Sequence, residues 1–239
     1  MKSFYFMLLG CSVIGSTGCK KDNLGTDSTK ETCLVQSITV KGTPVRLLLY
    51  DEEKRLTTAL ENDIKHEYTY DGNTVTIDRM LNGAFFGWQI HYTLNALGLP
   101  ASETIKYYNG DVVANLEYEY EDRMIKRITT TNPYNPQPGF TDFTWNNGNL
   151  VSYTENGKTY YFDYYTDQSA DFDYFSIEQV VSTQRVLKYI FNRNRVKSKT
   201  QDTEKEEYSY TTDAKGRVNA VTYSNGTITQ TWDVYRKCD

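Results

Sequence analysis

Acid–base or metal chemistry in this 239-residue chain would draw first on two histidines, four cysteines and 31 carboxylates. His66 shares an alternating face with Ile64, Tyr68 and Tyr70, the setting of a half-buried structural imidazole. His91 falls on the polar face of the Trp88–Leu94 stretch, and neither histidine belongs to a zinc-type spacing. The G-x-S-x-G, H-E-x-x-H and P-loop patterns do not occur. Asp167, Asp171 and Asp173 cluster in one segment and could hold calcium. They lack the glycine and distal glutamate of an EF-hand loop, so a plain loop feeding a helix is the simpler reading. Glu117, Glu119 and Glu121 are candidates for a glycosidase acid pair, but they alternate with Leu116, Tyr118 and Tyr120 as a solvated strand face does. The residues therefore predict no enzyme, no metal site and no cofactor.

The cysteines point elsewhere. Met1–Gly18 has a lysine at position 2, an apolar stretch from Phe4 to about Gly15, and small residues before Cys19, the layout of a bacterial secretory signal. Cys11 follows the better tripeptide, Leu8-Leu9-Gly10, but would leave a very short apolar run. Cys19 follows Ser16-Thr17-Gly18 and precedes Lys20-Lys21-Asp22, so it is the favoured site of lipid attachment. On this reading residues 1–18 are a signal peptide and 19–32 a polar tether. Residues 33–239 form a single domain, held on the outer membrane through its acyl chains, facing the periplasm or the surface. Cys33 and Cys238 then remain, one at each end of the folded region. In an oxidising compartment they could form a bridge, or they could be two buried thiols that never meet.

The net charge of −5 and the absence of a basic cluster interleaved with aromatics argue against nucleic acid. Tyr, with 21 copies, supplies much of the apolar surface while its hydroxyl needs water or a partner, which suits a sheet with one wet face.

Turn chemistry and alternation set the architecture. Asn-Gly recurs at 82–83, 109–110, 147–148, 156–157 and 225–226, and Asp71-Gly72 makes a sixth pair, each predicting a two-residue hairpin turn. Lys215-Gly216, behind Asp213, predicts a longer turn with glycine in the left-handed region. Between the turns the chain alternates, as in Leu116, Tyr118 and Tyr120 against Glu117, Glu119 and Glu121. Residues 176–191 have no Gly or Pro and place Ile177, Val180, Val181 and Gln184 at helical spacing, so one short helix is expected there. Residues 132–140 carry three of the five prolines and read as a loop. Rings at Trp88, Trp145, Trp232 and in Tyr160–Tyr165 suggest an exposed aromatic face, unless the helix or a loop covers it.

A degenerate unit repeats through these hairpins. It runs as Tyr50-Asp51 with Arg55-Leu56, Tyr68-x-Tyr70-Asp71-Gly72, Tyr92-x-Leu94-Asn95 with Gly98, Tyr118-x-Tyr120, Phe143-x-Trp145-Asn146, and Tyr208-x-Tyr210 with Asp213 and Gly216-Arg217. These residues resemble the YD (tyrosine-aspartate) repeat of RHS-type proteins and Bacteroidetes lipoproteins built from similar hairpins. With about seven units, the resemblance implies an all-β antiparallel meander forming one long twisted sheet rather than a closed shell. The expected function is a non-catalytic binding or structural module of the cell envelope. The alternative is a carbohydrate-binding lipoprotein of a glycan-uptake system. An envelope protein or a glycan would be the partner, and the membrane is engaged through the lipid anchor.

Overall fold

The computed structural model describes residues 33–170, 172, 176 and 190–238. Among them the alternating segments form sixteen strands. The first eight are β1 (Cys33–Val40), β2 (Thr43–Tyr50), β3 (Leu56–Glu61), β4 (Ile64–Asp71), β5 (Thr74–Leu81), β6 (Ala84–Leu94), β7 (Pro100–Tyr107) and β8 (Val112–Glu121). The second eight are β9 (Met124–Asn132), β10 (Asn135–Asn146), β11 (Asn149–Glu155), β12 (Lys158–Ser169), β13 (Asn194–Gln201), β14 (Glu204–Thr212), β15 (Val218–Ser224) and β16 (Thr229–Cys238). Each strand pairs antiparallel with its neighbours in sequence, and β1 pairs with β16.

That last pairing overturns the expected open sheet. The sheet closes on itself as a sixteen-stranded antiparallel barrel. Tandem hairpins specify only local pairs, so the sequence repeat left two free edges. The two terminal strands remove them, because their alternation is in phase. Ile38 opposes Val234, both buried, while Ser37 opposes Tyr235 on the outer face. An unpaired edge presents a row of free backbone donors and acceptors, and closure satisfies both rows at once. Cys33 opposes Cys238 in the same register, and the two are joined by a disulfide of 2.03 Å. The segment expected to be helical, 176–191, lies outside the described residues apart from Ser176, Ile190 and Phe191.

Most inward positions are apolar and most outward ones polar, although Arg46, His66, Glu103 and Arg195 are buried and Leu47, Leu49, Tyr161 and Tyr235 are exposed. On β4, His66 and Tyr68 are buried while Lys65, Glu67 and Thr69 between and beside them face outward. On β8, Leu116 and Tyr118 are buried and Asn115, Glu117 and Glu119 exposed. Inward side chains pack into three clusters. One centres on Leu48, Val75, Ile77 and Tyr92. A larger one runs from Leu116 through Phe143 and Phe162 to Tyr208, and the third joins Ile38 to Val218, Val221 and Val234 across the closing seam. Phe172 and Ile190, from the connection between β12 and β13, enter the third and the second of these. Each fully buried Val, Leu or Ile contributes about 1.5–3 kcal/mol, so inward burial is the main source of cohesion.

The repeating Tyr and Asp residues act at one end of the barrel. The hydroxyls of Tyr50, Tyr70, Tyr164 and Tyr210 donate to the carbonyls of Val35, Leu56, Leu150 and Val196, at 2.5–2.9 Å. Trp145 Nε1 does the same to Ile125 O at 2.7 Å. The ring thus fills the interior while its polar tip satisfies a strand carbonyl, worth about 1 kcal/mol each. The Asp closes the adjoining loop. Asp51 accepts from the Arg55 backbone and side chain, and Asp213 does the same for Arg217. Asn95 takes this place before Gly98, capping the amides of Leu97 and Leu99.

The turns sort by this geometry. Asn82-Gly83, Asn147-Gly148 and Asn156-Gly157 are two-residue turns with positive φ at both positions, as expected. Asn109-Gly110 instead sits in a five-residue loop between Tyr107 and Asp111. Asn225-Gly226 lies in a four-residue connection, and the β4–β5 turn is Gly72-Asn73, one residue later than the Asp-Gly pair suggested. The proline-rich stretch is not a free loop, since β10 already begins at Asn135, opposite Asn132.

Closure and the loops can each be tested. The disulfide spans 205 residues, and such a link restricts the unfolded chain by about 5 kcal/mol in the simple entropy model. The Cys33→Ala/Cys238→Ala variant should lose several kcal/mol in urea unfolding; an unchanged midpoint would show that β1–β16 pairing alone sets the stability. The five-residue loops place Gly98, Gly110 and Gly216 at one positive-φ position, where the first loop has Lys54 at φ 63°. Lys54→Gly should raise stability by up to about 1 kcal/mol, because a side chain strains this backbone. A lower melting temperature would mean that the lysine side chain makes a compensating contact.

Candidate functional site

At the end opposite the tyrosine clamps the inward side chains leave a cavity of about 480 Å³. This lies within the size range of small-molecule sites. Its floor is apolar, made by Ile90 of β6, Ile105 of β7 and Leu116 of β8. Trp88 and Tyr107 supply rings. The rim is built from amides: Asn132 at the end of β9, Asn135 and Gln137 at the start of β10, and Asn156 in the β11–β12 turn. Short polar side chains follow from the hairpin ends, where the backbone itself lines the opening.

Two carboxylates complete the lining, Glu103 and Glu155. Glu103 points inward from β7 between the outward Ser102 and Thr104, and only 2% of it is exposed. An inward carboxylate needs partners to offset its lost hydration, and the Tyr118 hydroxyl donates to Glu103 Oε2. Glu155, at the end of β11, is partly exposed. Among the described residues no Lys, Arg or His lines the cavity.

A cationic cluster lies on the other side of Trp88. Arg46 of β2 is almost fully buried and pairs with Glu61 of β3 at 2.9 Å; burial, opposed by Glu61, lowers its guanidinium pKa. Arg79 of β5 lies over the Phe86 ring at 5.1 Å and the Trp88 ring at 5.7 Å. His66 is fully buried, its ring 5.7 Å from that of Trp88, and neither ring nitrogen has a hydrogen-bond partner among the described residues. Burial first, then the positive charges of Arg46 and Arg79, push its pKa down to about 4. It is a neutral core imidazole held beside two cations.

The residues singled out in the sequence are scattered. Cys19 lies outside the described residues, as do Asp171 and Asp173, while Asp167 lies on β12. Among the described residues no group of His, Cys, Asp and Glu is arranged to hold a metal ion. Cys33 and Cys238 meet at the barrel seam. His91 faces outward and contacts Thr76 and Gln89. The exposed aromatic face does not form. Tyr160 and Phe162 turn inward and stack with Tyr153, Trp232 packs near Tyr223, and of this run Tyr161 alone is strongly exposed. Of the three tryptophans only Trp88 lines the cavity. Two signals for the cavity were present in the sequence: Glu103 on the same alternating face as Ile105, and the prolines that interrupt β10.

No family model and no curated protein matches the chain. Among solved structures, the chain is similar to a protein described as porin-like from Bacteroides uniformis, solved at 2.32 Å. The two share 17% identity with a TM-score of 0.62, over 85% of this chain and 96% of that one. The likeness establishes a shared barrel fold; RHS-type repeats have no support in any of these comparisons.

The cationic cluster carries a pH signature. His66 has a folded pKa of about 4 against an ordinary 6.5, so the unfolded chain takes up a proton that the folded chain refuses. This contribution to stability is fully present above pH 6.5, falls as the pH drops, and levels off below about 4. The loss amounts to about 3 kcal/mol. Urea unfolding across pH 7 to 4 should show it, and His66→Leu should flatten the profile relative to the parent. An unaltered slope would place the titration in other groups.

Proposed function

We propose that this chain is a non-catalytic binding lipoprotein of the cell envelope, carried on the outer membrane by a lipid on Cys19 and offering its end cavity to a small ligand. The observation that carries the reading is the sidedness of the barrel. A membrane-spanning barrel presents an apolar band with aromatic girdles to lipid and keeps its polar residues inside. Here the outward positions include Lys65, Glu67, Glu117, Glu119, Lys205 and Glu207. A lysine at the bilayer midplane costs about 2–4 kcal/mol, and a wall of charged residues would multiply that. Several strands are also short for the role, with six residues in β3 and seven in β11 and β15, where a span needs about 9–11. A barrel of this kind sits in water, and the lipoprotein signal supplies its attachment. The likeness to a protein described as porin-like supports an envelope setting. Among the described residues no helix is long and apolar enough to cross a membrane.

A glycan-binding role is the second reading. The rings of Trp88 and Tyr107 beside four rim amides favour it, since sugars combine apolar ring faces with many hydroxyls.

Cys19→Ala in the full chain should move the protein from the membrane fraction to the soluble fraction, with an unchanged circular dichroism spectrum. Retention in a carbonate-washed membrane would mean that the barrel itself is inserted, and the reading would fall.

A further inference from the structure

We infer that Arg79, His66 and Tyr68 form a binding site for a small inorganic anion, a halide or a phosphate-like oxyanion, on the side of Trp88 away from the end cavity. The site is separate from that cavity and from whatever it holds. Its geometry starts from an irregularity in β6. Asp78 opposes Gln89 and Met80 opposes Phe85, so Arg79 alone faces three residues, Phe86, Gly87 and Trp88. Bulges of this kind re-aim side chains. Gly87 has φ 84°, and a Cβ there would lie 3.3 Å from Arg79 Nη1. The glycine thus keeps room for the guanidinium, which lies over the Phe86 and Trp88 rings at 5.1 and 5.7 Å.

Three side chains here offer donors that nothing accepts. Arg46 has its counter-ion in Glu61, but among the described residues no carboxylate pairs with Arg79, and its covered Nε has no hydrogen-bond partner. His66 opposes Arg79 directly across the β4–β5 pair, is fully buried, and has no partner on either ring nitrogen among the described residues. Tyr68, the next residue along the same inward face, is 6% exposed and its hydroxyl is likewise unpartnered. On β3 the residue opposite His66 is Ala59, whose methyl takes up little of the interior beside the ring. Buried polar groups in folded proteins are satisfied by protein, by ordered water or by an ion. Water would serve the imidazole and the hydroxyl but leave the guanidinium charge unmatched. An anion accepts from all three and supplies the counter-charge. Arg79 is half-buried, which leaves an approach, while the His66 end is closed to solvent and screens a charge little.

The test uses the full chain in detergent micelles, melted in sodium chloride or sodium phosphate against sodium gluconate of equal ionic strength. A ligand of the folded state raises the melting temperature with its concentration. The parent should show this rise with chloride, phosphate or both, and the ion that causes it decides between halide and oxyanion. Arg79→Gln should raise the concentration needed at least about tenfold, the worth of one charge-assisted hydrogen bond. In gluconate alone the same variant should melt no lower than the parent, because it removes a cation that no carboxylate matches. His66→Leu should weaken the anion response severalfold. Equal melting temperatures in all three salts, or a response that survives in Arg79→Gln, would overturn the site. Crystals of the parent grown in bromide and in arsenate, heavier counterparts of the two ions, test it without substitution. Anomalous density from one of them is expected between Arg79 and His66, and density from neither there would overturn the assignment.

Discussion

Everything in this fold depends on β1 meeting β16. The other pairings join neighbours in sequence, and all but β12–β13, whose connection runs from 170 to 193, need only a short turn or loop and matching alternation. The seam joins strands at opposite ends of the chain, so its loop-closure cost is the largest in the molecule. It is met by backbone pairing from Cys33 to Thr39, by the burial of Ile38 against Val234, and by a covalent link at its outer end. Arg217 adds to that corner, its guanidinium against the two sulfurs while its other arm pairs with Asp213 at 2.7 Å. One of the repeated Asp–Arg loops thus braces the strand pair most distant in sequence.

Closure explains how a tyrosine-rich sequence of modest hydrophobicity builds a core. In an open sheet one face of every strand would need cover from another layer. In the barrel, inward faces cover one another, and the described ends of the β12–β13 connection add Phe172 and Ile190. Tyrosine suits this arrangement because its ring reaches into the interior near the barrel end while its hydroxyl returns to a strand carbonyl. The same division places charged side chains such as Lys65, Glu67, Glu117 and Glu119 on the exterior, where Leu47, Leu49 and Tyr161 are exposed as well. A shared barrel fold therefore says little about membrane insertion; which face carries the charges decides it.

Local features of the sequence were readable, and non-local ones were not. The alternation in Leu116–Glu121 placed the correct side chains inside, and Asn82-Gly83, Asn147-Gly148 and Asn156-Gly157 marked true two-residue turns. Asn109-Gly110 misled because the dipeptide serves two loop types, and Asp111, which takes the Asn109 amide, selects the longer one. The expected open sheet followed from counting repeats, which cannot reveal whether the first strand finds the last. The cavity was hidden for a related reason. Trp88, Glu103, Asn132 and Glu155 come from β6, β7, β9 and β11, and no local pattern in the sequence links them. Exposed tyrosines drew attention instead, although alternation alone sends Tyr160 and Phe162 inward.

Among the described residues, the groups around Trp88 fall into two sets. Arg46, Arg79 and His66 occupy one side of Trp88, and Glu103 and Glu155 the other. On the cationic side Glu61 pairs with Arg46, and the histidine responds to its two cationic neighbours by staying neutral. An indole between two such groups is a reasonable dielectric wall: it fills the space, excludes water and offers its face to a cation on either side. Arg79 already uses one contact with that ring. The cavity side, open to solvent through the rim amides, carries the rings of Trp88 and Tyr107 and the hydrogen bond from the Tyr118 hydroxyl to Glu103.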